Sequence, residues 1–218
     1  MSGRMESWAV HERNGGAGEL HLADLPPGRG VWLMNVNRPA VVLGSTQKMS
    51  DIDPATAGEL GLEVAVRRSG GGLVWLDPAD TTWVDVTIPA GDPLWVEDVP
   101  RSMMWLGRVF TRVFGAEPGI RVVDSPYDAG EHGRSLCFAG TAPGEVMTDA
   151  GKLVGISQRR GRNGARFQCV VHHTWSPERF ASVFADPAVT DAAARLPVAT
   201  TGMDRAAIVA ALVENLRG

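Results

Sequence analysis

The residue types best suited to chemistry gather in one short segment, Arg67-Arg68-Ser69-Gly70-Gly71-Gly72-Leu73-Val74. Two adjacent guanidiniums carry permanent positive charge and can fork onto a carboxylate or a phosphate. Three glycines between two strand-like runs let the backbone approach a ligand and turn its N–H groups into a concave donor surface for anions. The bland alternative is a flexible hairpin with two solvated arginines. A nucleotide P-loop is excluded, because the GxxxxGK[ST] spacing is missing and no helix follows the glycines. A second segment is Gly151-Lys152-Leu153-Val154-Gly155-Ile156-Ser157. A lysine at the head of a strand of small residues can point an ammonium into a pocket, toward a carboxylate or phosphate. Most lysines are solvated instead. Cys137, in Ser135-Leu136-Cys137-Phe138, is either a small buried apolar residue or a nucleophile, and the second role needs a nearby cation. His172 and His173 are adjacent, so on a strand they face opposite ways and at least one is structural. Trp75, Trp83, Trp95 and Trp105 read as core or pocket wall.

Short elements must hold these residues. Val31–Val36 and Ala40–Leu43 are strand-like apolar runs separated by the turn Asn37-Arg38-Pro39. Asp53, Pro54 and Gly61 cap, start and stop a short helix. Glu63–Val66 runs into the glycines and Leu73–Leu76 leaves them. Thr82–Ile88 alternates, with Val84, Val86 and Ile88 on one face and Trp83, Asp85 and Thr87 on the other, which predicts a half-buried strand of an antiparallel sheet. Met103, Leu106, Phe110 and Val113 form a helical stripe within Pro100–Phe114, ended by Gly115. Ile120–Val123, Lys152–Ser157 and Arg166–His172 are further strands. Ser176-Pro177 opens a helix with Phe180, Val183 and Phe184 inward, and Thr201 with Asp204 suggests a capping box before Ala206–Leu216. This order predicts an α+β fold with helices flanking a mixed, mostly antiparallel sheet.

Composition narrows the function. The chain has 218 residues and a net charge of −4, with 44% hydrophobic and 21% charged residues. These values suit one domain over residues 1–218 and argue against global disorder and against wrapping nucleic acid by charge. No apolar run is long enough to span a membrane, and MSGRMESWAVHERNGG lacks the apolar core of a signal peptide. A cytoplasmic protein with free thiols at Cys137 and Cys169 is expected, and two cysteines do not make a structural zinc site, so no metal is expected.

Three segments together resemble the lipoate–protein ligase and octanoyltransferase family, within the wider biotin/lipoate protein ligase fold. Ala40-Val41-Val42-Leu43-Gly44-Ser45-Thr46-Gln47 is similar to its strand-glycine-x-x-Gln segment. Glu63 to Asp77 is similar to the signature RRxGGGxVxxD, and Gly151 to Gln158 is similar to the lysine segment. The resemblance implies an acyl pocket, with Arg67, Arg68, Gly70, Gly71, Gly72, Val74, Trp75, Gly155 and Ser157 binding substrate and Val154 also in its wall. It implies that Lys152 holds the carboxyl or acyl-phosphate oxygens. It further implies lipoate or octanoate as acyl substrate, ATP and Mg²⁺ as co-substrates for an acyl-adenylate, and a lysine on a lipoyl carrier domain of a 2-oxoacid dehydrogenase or glycine cleavage protein as acceptor. A related branch transfers octanoyl groups from acyl carrier protein through a cysteine thioester without ATP. Cys137-Phe138, ahead of Lys152, resembles that arrangement and makes Cys137 a second catalytic candidate. A non-catalytic acyl-binding relative is the third reading. Departures from the family are Leu76 in place of His, Gln168-Cys169-Val170 in place of a His-Gly pair, no evident N-terminal helix before residue 30, and no C-terminal accessory domain.

Overall fold

A computed structural model describes residues 7–217. Residues 1–6, the start of the stretch read as lacking a signal peptide, lie outside the described residues. Along the chain come β1 (Ala9–Gly15), α1 (Ala17–Leu22), β2 (Gly30–Val36), β3 (Ala40–Leu43), α2 (Pro54–Glu59), β4 (Glu63–Val66), β5 (Val74–Leu76) and β6 (Thr81–Pro89). Then follow α3 (Met104–Val113), β7 (Arg121–Val122), β8 (Val146–Thr148), β9 (Gly151–Gly161), β10 (Gly164–His172), α4 (Pro177–Ala181), α5 (Pro187–Ala194) and α6 (Arg205–Arg217).

Seven strands form one sheet in the order β1-β2-β6-β10-β9-β8-β7, and three form a smaller sheet, β4-β3-β5. Among the strand pairs of the described residues, β1–β2 and β3–β4 are parallel and the others antiparallel, so the expected mixed, mostly antiparallel architecture holds. The small sheet, with α1, α4 and α5, covers one face of the large sheet, and α3 and α6 cover the other. One core unites Trp32, Met34 and Trp83 with the small sheet and with Phe180, Val183 and Phe184. The other unites Val84, Val86 and Ile88 with Leu106, Phe110 and Val113 of α3 and Ile208 and Leu212 of α6.

This layering corrects the reading of Thr82–Ile88. The strand is buried on both faces, because it is central in the sheet and each face has its own cover. Its polar side chains are paired to make that possible: Trp83 Nε1 donates to Asp85 Oδ1 at 2.7 Å, and Arg166 Nε donates to Asp85 Oδ2 at 2.5 Å. Other boundaries also move. The stripe helix starts at Met104, not Pro100, and the strand near Ile120 has only two residues. Asp204, not Thr201, caps α6 by accepting from the N–H of Ala207 at 2.7 Å; Thr201 Oγ1 accepts from Met203. A helix does precede residue 30: α1 is only 6 residues long, too short for periodicity to reveal. The α2 expectations hold, since Asp53 accepts from the N–H of Ala55 at 3.0 Å and Gly61 has φ +63°.

Candidate functional site

The glycine segment joins β4 to β5, and its shape is fixed from inside. Arg67 is 4% exposed. Its Nη1 donates to Val42 O at 3.0 Å, and its Nη2 to Gly70 O at 3.0 Å and Gly72 O at 2.7 Å. The guanidinium thus holds the loop by its own carbonyls rather than forking onto a ligand. Arg68 is exposed and lines no part of the cavity, which removes it from the expected binding set. Gly72 is needed for contact between backbones: a Cβ there would lie 2.4 Å from Leu136 N. Gly44 is needed likewise, since its Cβ would lie 1.8 Å from Gly71 O. Gly71 has φ +94°, open to glycine at little cost.

The close approach at Gly72 brings the cysteine segment in. Leu73 N–H donates to Ser135 O at 2.8 Å, and Cys137 N–H donates to Leu73 O at 3.0 Å. Gln47 accepts from Gly44 N–H at 2.9 Å and donates to Ser135 O at 3.2 Å, which gives the glycine-x-x-Gln segment its physical role.

From the other side comes β9. Lys152, its second residue, is 1% exposed. Its Nζ lies 2.8 Å from Glu145 Oε2 and donates to Cys137 O at 3.0 Å, with the Phe138 ring 5.4 Å away. Glu145 also accepts from Ala142 N–H at 2.8 Å. Burial pushes its carboxyl above the ordinary carboxylate range, against the pull of the Lys152 ammonium. Glu145 was not anticipated from the sequence; an isolated Glu in an irregular loop gives no periodic signal.

Lys152, Gly70, Gly71, Cys137, Glu145 and Ser157 line a single cavity of about 230 Å³. It meets a narrower apolar slot at Arg67, Cys137, Ile156 and Ser157. The slot, about 30 Å³, is walled by Val74, Trp83, Phe138, Gly155 and Val170, with His21 and Gln168. Gly155 keeps it open: a Cβ there would lie 3.2 Å from the Phe138 ring. That volume takes roughly one water or a single methylene, so a longer chain has to part the walls. Trp75 and Val154 are absent from both linings. On β5, Trp75 points away from Val74 and packs under Arg179, whose guanidinium carbon is 4.9 Å from its ring. Val154 is on the face of β9 that packs in the α3 core.

The remaining candidates separate. Cys169 is buried, and burial pushes its thiol well above the usual range; Cys137 is half-buried on the cavity wall. His172 is buried between Phe138 and Trp175, its ring centroid 5.0 Å from each, and burial holds it unprotonated, down to about 3. His173 bonds Thr82 Oγ1 at 2.7 Å. Trp95 and Trp105 are half-buried and lie outside both linings.

No curated protein matches the sequence at a significant level. Solved structures do match in fold. A T. acidophilum protein with bound lipoic acid is 14% identical, with a TM-score of 0.73 over 97% of this chain and 84% of its own. A bi-partite lipoate protein ligase with its E2 lipoyl domain, from Thermoplasma acidophilum, gives 14% and 0.68 over 97% and 83%. A lipoate-protein ligase A bound with ATP gives 12% and 0.67 over 96% and 83%. The family model for the lipoyl protein ligase A/B catalytic domain matches residues 19–205, a span that takes in the glycine loop, Cys137 and Lys152. With most of its length covered by that model, the chain belongs to the lipoyl protein ligase A/B catalytic domain family.

Proposed function

We propose that this protein activates lipoate, or an octanoate-like acid, with ATP as an acyl-adenylate and passes the acyl group to a lysine of a lipoyl carrier domain. The observation that carries the reading is the meeting of buried Lys152 with Gly70 and Gly71 across one cavity that continues into an apolar slot. The acid's head needs fixed positive charge and N–H donors, and its tail needs an apolar sheath. In the first step a carboxylate oxygen attacks the α-phosphorus of ATP and pyrophosphate leaves. In the second the carrier lysine's amine attacks the acyl carbonyl, AMP leaves and the amine sheds a proton. Lys152 and the loop N–H groups stabilise the oxygens on which negative charge grows. Relatives of the same fold described with lipoic acid, with ATP and with an E2 lipoyl domain support this assignment.

The lining does not fit a protein-held Mg²⁺. Its acidic residue, Glu145, is taken by Lys152, and among the described residues no three His, Cys, Asp or Glu gather for a metal. A second reading is favoured by Cys137, which lines both cavity and slot and whose carbonyl accepts from Lys152. There the Cys137 sulfur attacks the octanoyl thioester of acyl carrier protein and that protein's thiol leaves; the carrier lysine's amine then attacks the new thioester, the Cys137 thiol leaves and the amine sheds a proton. Intact-mass measurement of enzyme and carrier separates the two. Lipoate with ATP and Mg²⁺ adds a lipoyl mass to the carrier under the first reading. Octanoyl carrier protein without ATP leaves an adduct on Cys137 under the second. No transfer under either feed leaves a non-catalytic acyl binder.

A further inference from the structure

The slot is apolar, yet two of its lining side chains hold buried donors with no acceptor among the described residues. His21 is 7% exposed and Arg67 is 4% exposed. His21 Nδ1 lies 2.9 Å from Gln168 Nε2. With the amide N–H donating, Nδ1 is the acceptor and the neutral ring carries its proton on Nε2. Burial and the charges of Arg67 and Arg166 keep that ring neutral, down to about 3. Nε2 is buried and unpartnered, and so is Arg67 Nε. Both side chains stand in the wall of the same slot.

The surroundings hold His21 in place. Its ring packs on Trp83 with centroids 4.3 Å apart. Arg166, paired with Asp85, donates to Leu20 O and Ala23 O, each at 2.8 Å, and so fixes the end of α1 that carries His21. Buried donors are nearly always satisfied, and an open pair in one slot calls for an acceptor brought by the ligand.

We propose that His21 and Arg67 form a two-donor clamp that selects an acyl chain bearing an acceptor atom, a ring sulfur or an oxygen, over a plain hydrocarbon chain of equal length. This rests on the acyl-transfer reading above. A plain chain shuts both donors away from water unpaired; a chain with an acceptor satisfies at least one of them. His21 touches the chain, and Gln168 is a positioning residue that fixes the imidazole tautomer.

The test compares lipoate with octanoate, which share a chain length and differ in the dithiolane ring. The full chain receives each acid with ATP, Mg²⁺ and carrier domain, and kcat/KM is read from carrier mass; the melting shift with each acid alone is read in parallel. Wild type is expected to prefer lipoate by about tenfold or more, the scale set by one unpaired buried donor. The preference, read as the ratio of kcat/KM for the two acids within each variant, falls to within about threefold in His21→Leu and to an intermediate value in Gln168→Met. Gln168→Met keeps the imidazole and its packing, so it carries the test if His21→Leu does not fold. Equal use of both acids by wild type overturns the clamp, as does a preference undiminished in the folded variants. Transfer of neither acid, with no melting shift from either, removes the acyl-transfer reading and the clamp with it.

Discussion

The cavity and the slot sit side by side and are built on opposite terms. In the cavity, the cations already have internal partners: Lys152 has Glu145 and Cys137 O, and Arg67 spends both terminal nitrogens on carbonyls. In the slot, His21 Nε2 and Arg67 Nε have no partner among the described residues. Positive charge buried beside a glycine loop has to be neutralised before a substrate arrives, or the loop would not fold around it. A neutral imidazole is cheap enough to leave unpaired, so selectivity can reside there. Under the proposed acyl transfer, head-group binding is therefore an exchange of partners at Lys152, while tail binding is a gain of partners.

The largest expected effect comes from breaking the cavity's ion pair. Lys152→Met is expected to lower acyl transfer by about 10²–10³ and to cost roughly 3–5 kcal/mol of stability, because Glu145 is left buried without its cation. Adding Glu145→Gln should restore most of the stability and none of the activity, read by urea unfolding and carrier mass. Recovery of activity in the double variant would mean that the lysine acts only as scaffold.

Next in size is the loop itself. Gly72→Ala drives a methyl into the Ser135–Leu136 backbone and should destabilise by about 1–3 kcal/mol or more. Gly70→Ala meets nothing within 4 Å and should unfold at a denaturant midpoint close to wild type. Equal behaviour of the two would show that the glycines serve mobility rather than close approach.

The slot's rear wall offers a pH signature. His172, behind Phe138, is held unprotonated in the fold, down to about 3 from an ordinary 6.5. Its folded pKa is lowered, so its contribution to stability is complete above about pH 6.5 and drains away as pH falls toward 3. Between about pH 6 and 4.5, wild type should lose about 1.4 kcal/mol per pH unit more than His172→Phe does. Parallel unfolding curves across that range would mean that the histidine finds a proton partner in the fold. The smallest effect expected is on Cys137. Under the ligase reading, Cys137→Ser keeps lipoate transfer within about threefold of wild type; loss of transfer would move the protein to the thioester branch.

Much of this was legible in the sequence. Strands and their sheet type followed from apolar runs and turn residues, and Lys152, Gly70, Gly71, Val74, Gly155 and Ser157 do meet on one cavity and slot. Trp75 was misread because adjacent strand residues face opposite ways, and only the fold decides which face of β5 meets the slot. Arg67 was read as a ligand fork because a sequence lists side chains and not the carbonyls around them. His21 and the Asp85–Arg166 pair were not legible, since each becomes meaningful through a partner more than eighty positions away, and Glu145 sits in an irregular loop whose path to Lys152 carries no periodic signal. The short α1 lacked enough turns to show a period.

Acid-dependent exchange of pyrophosphate into ATP, measured without carrier domain, tests the central claim most directly. The account predicts exchange that requires lipoate, disappears in Lys152→Met and persists in Cys137→Ser. Exchange that survives Lys152→Met, or an acyl adduct on Cys137 formed with no exchange at all, would contradict it.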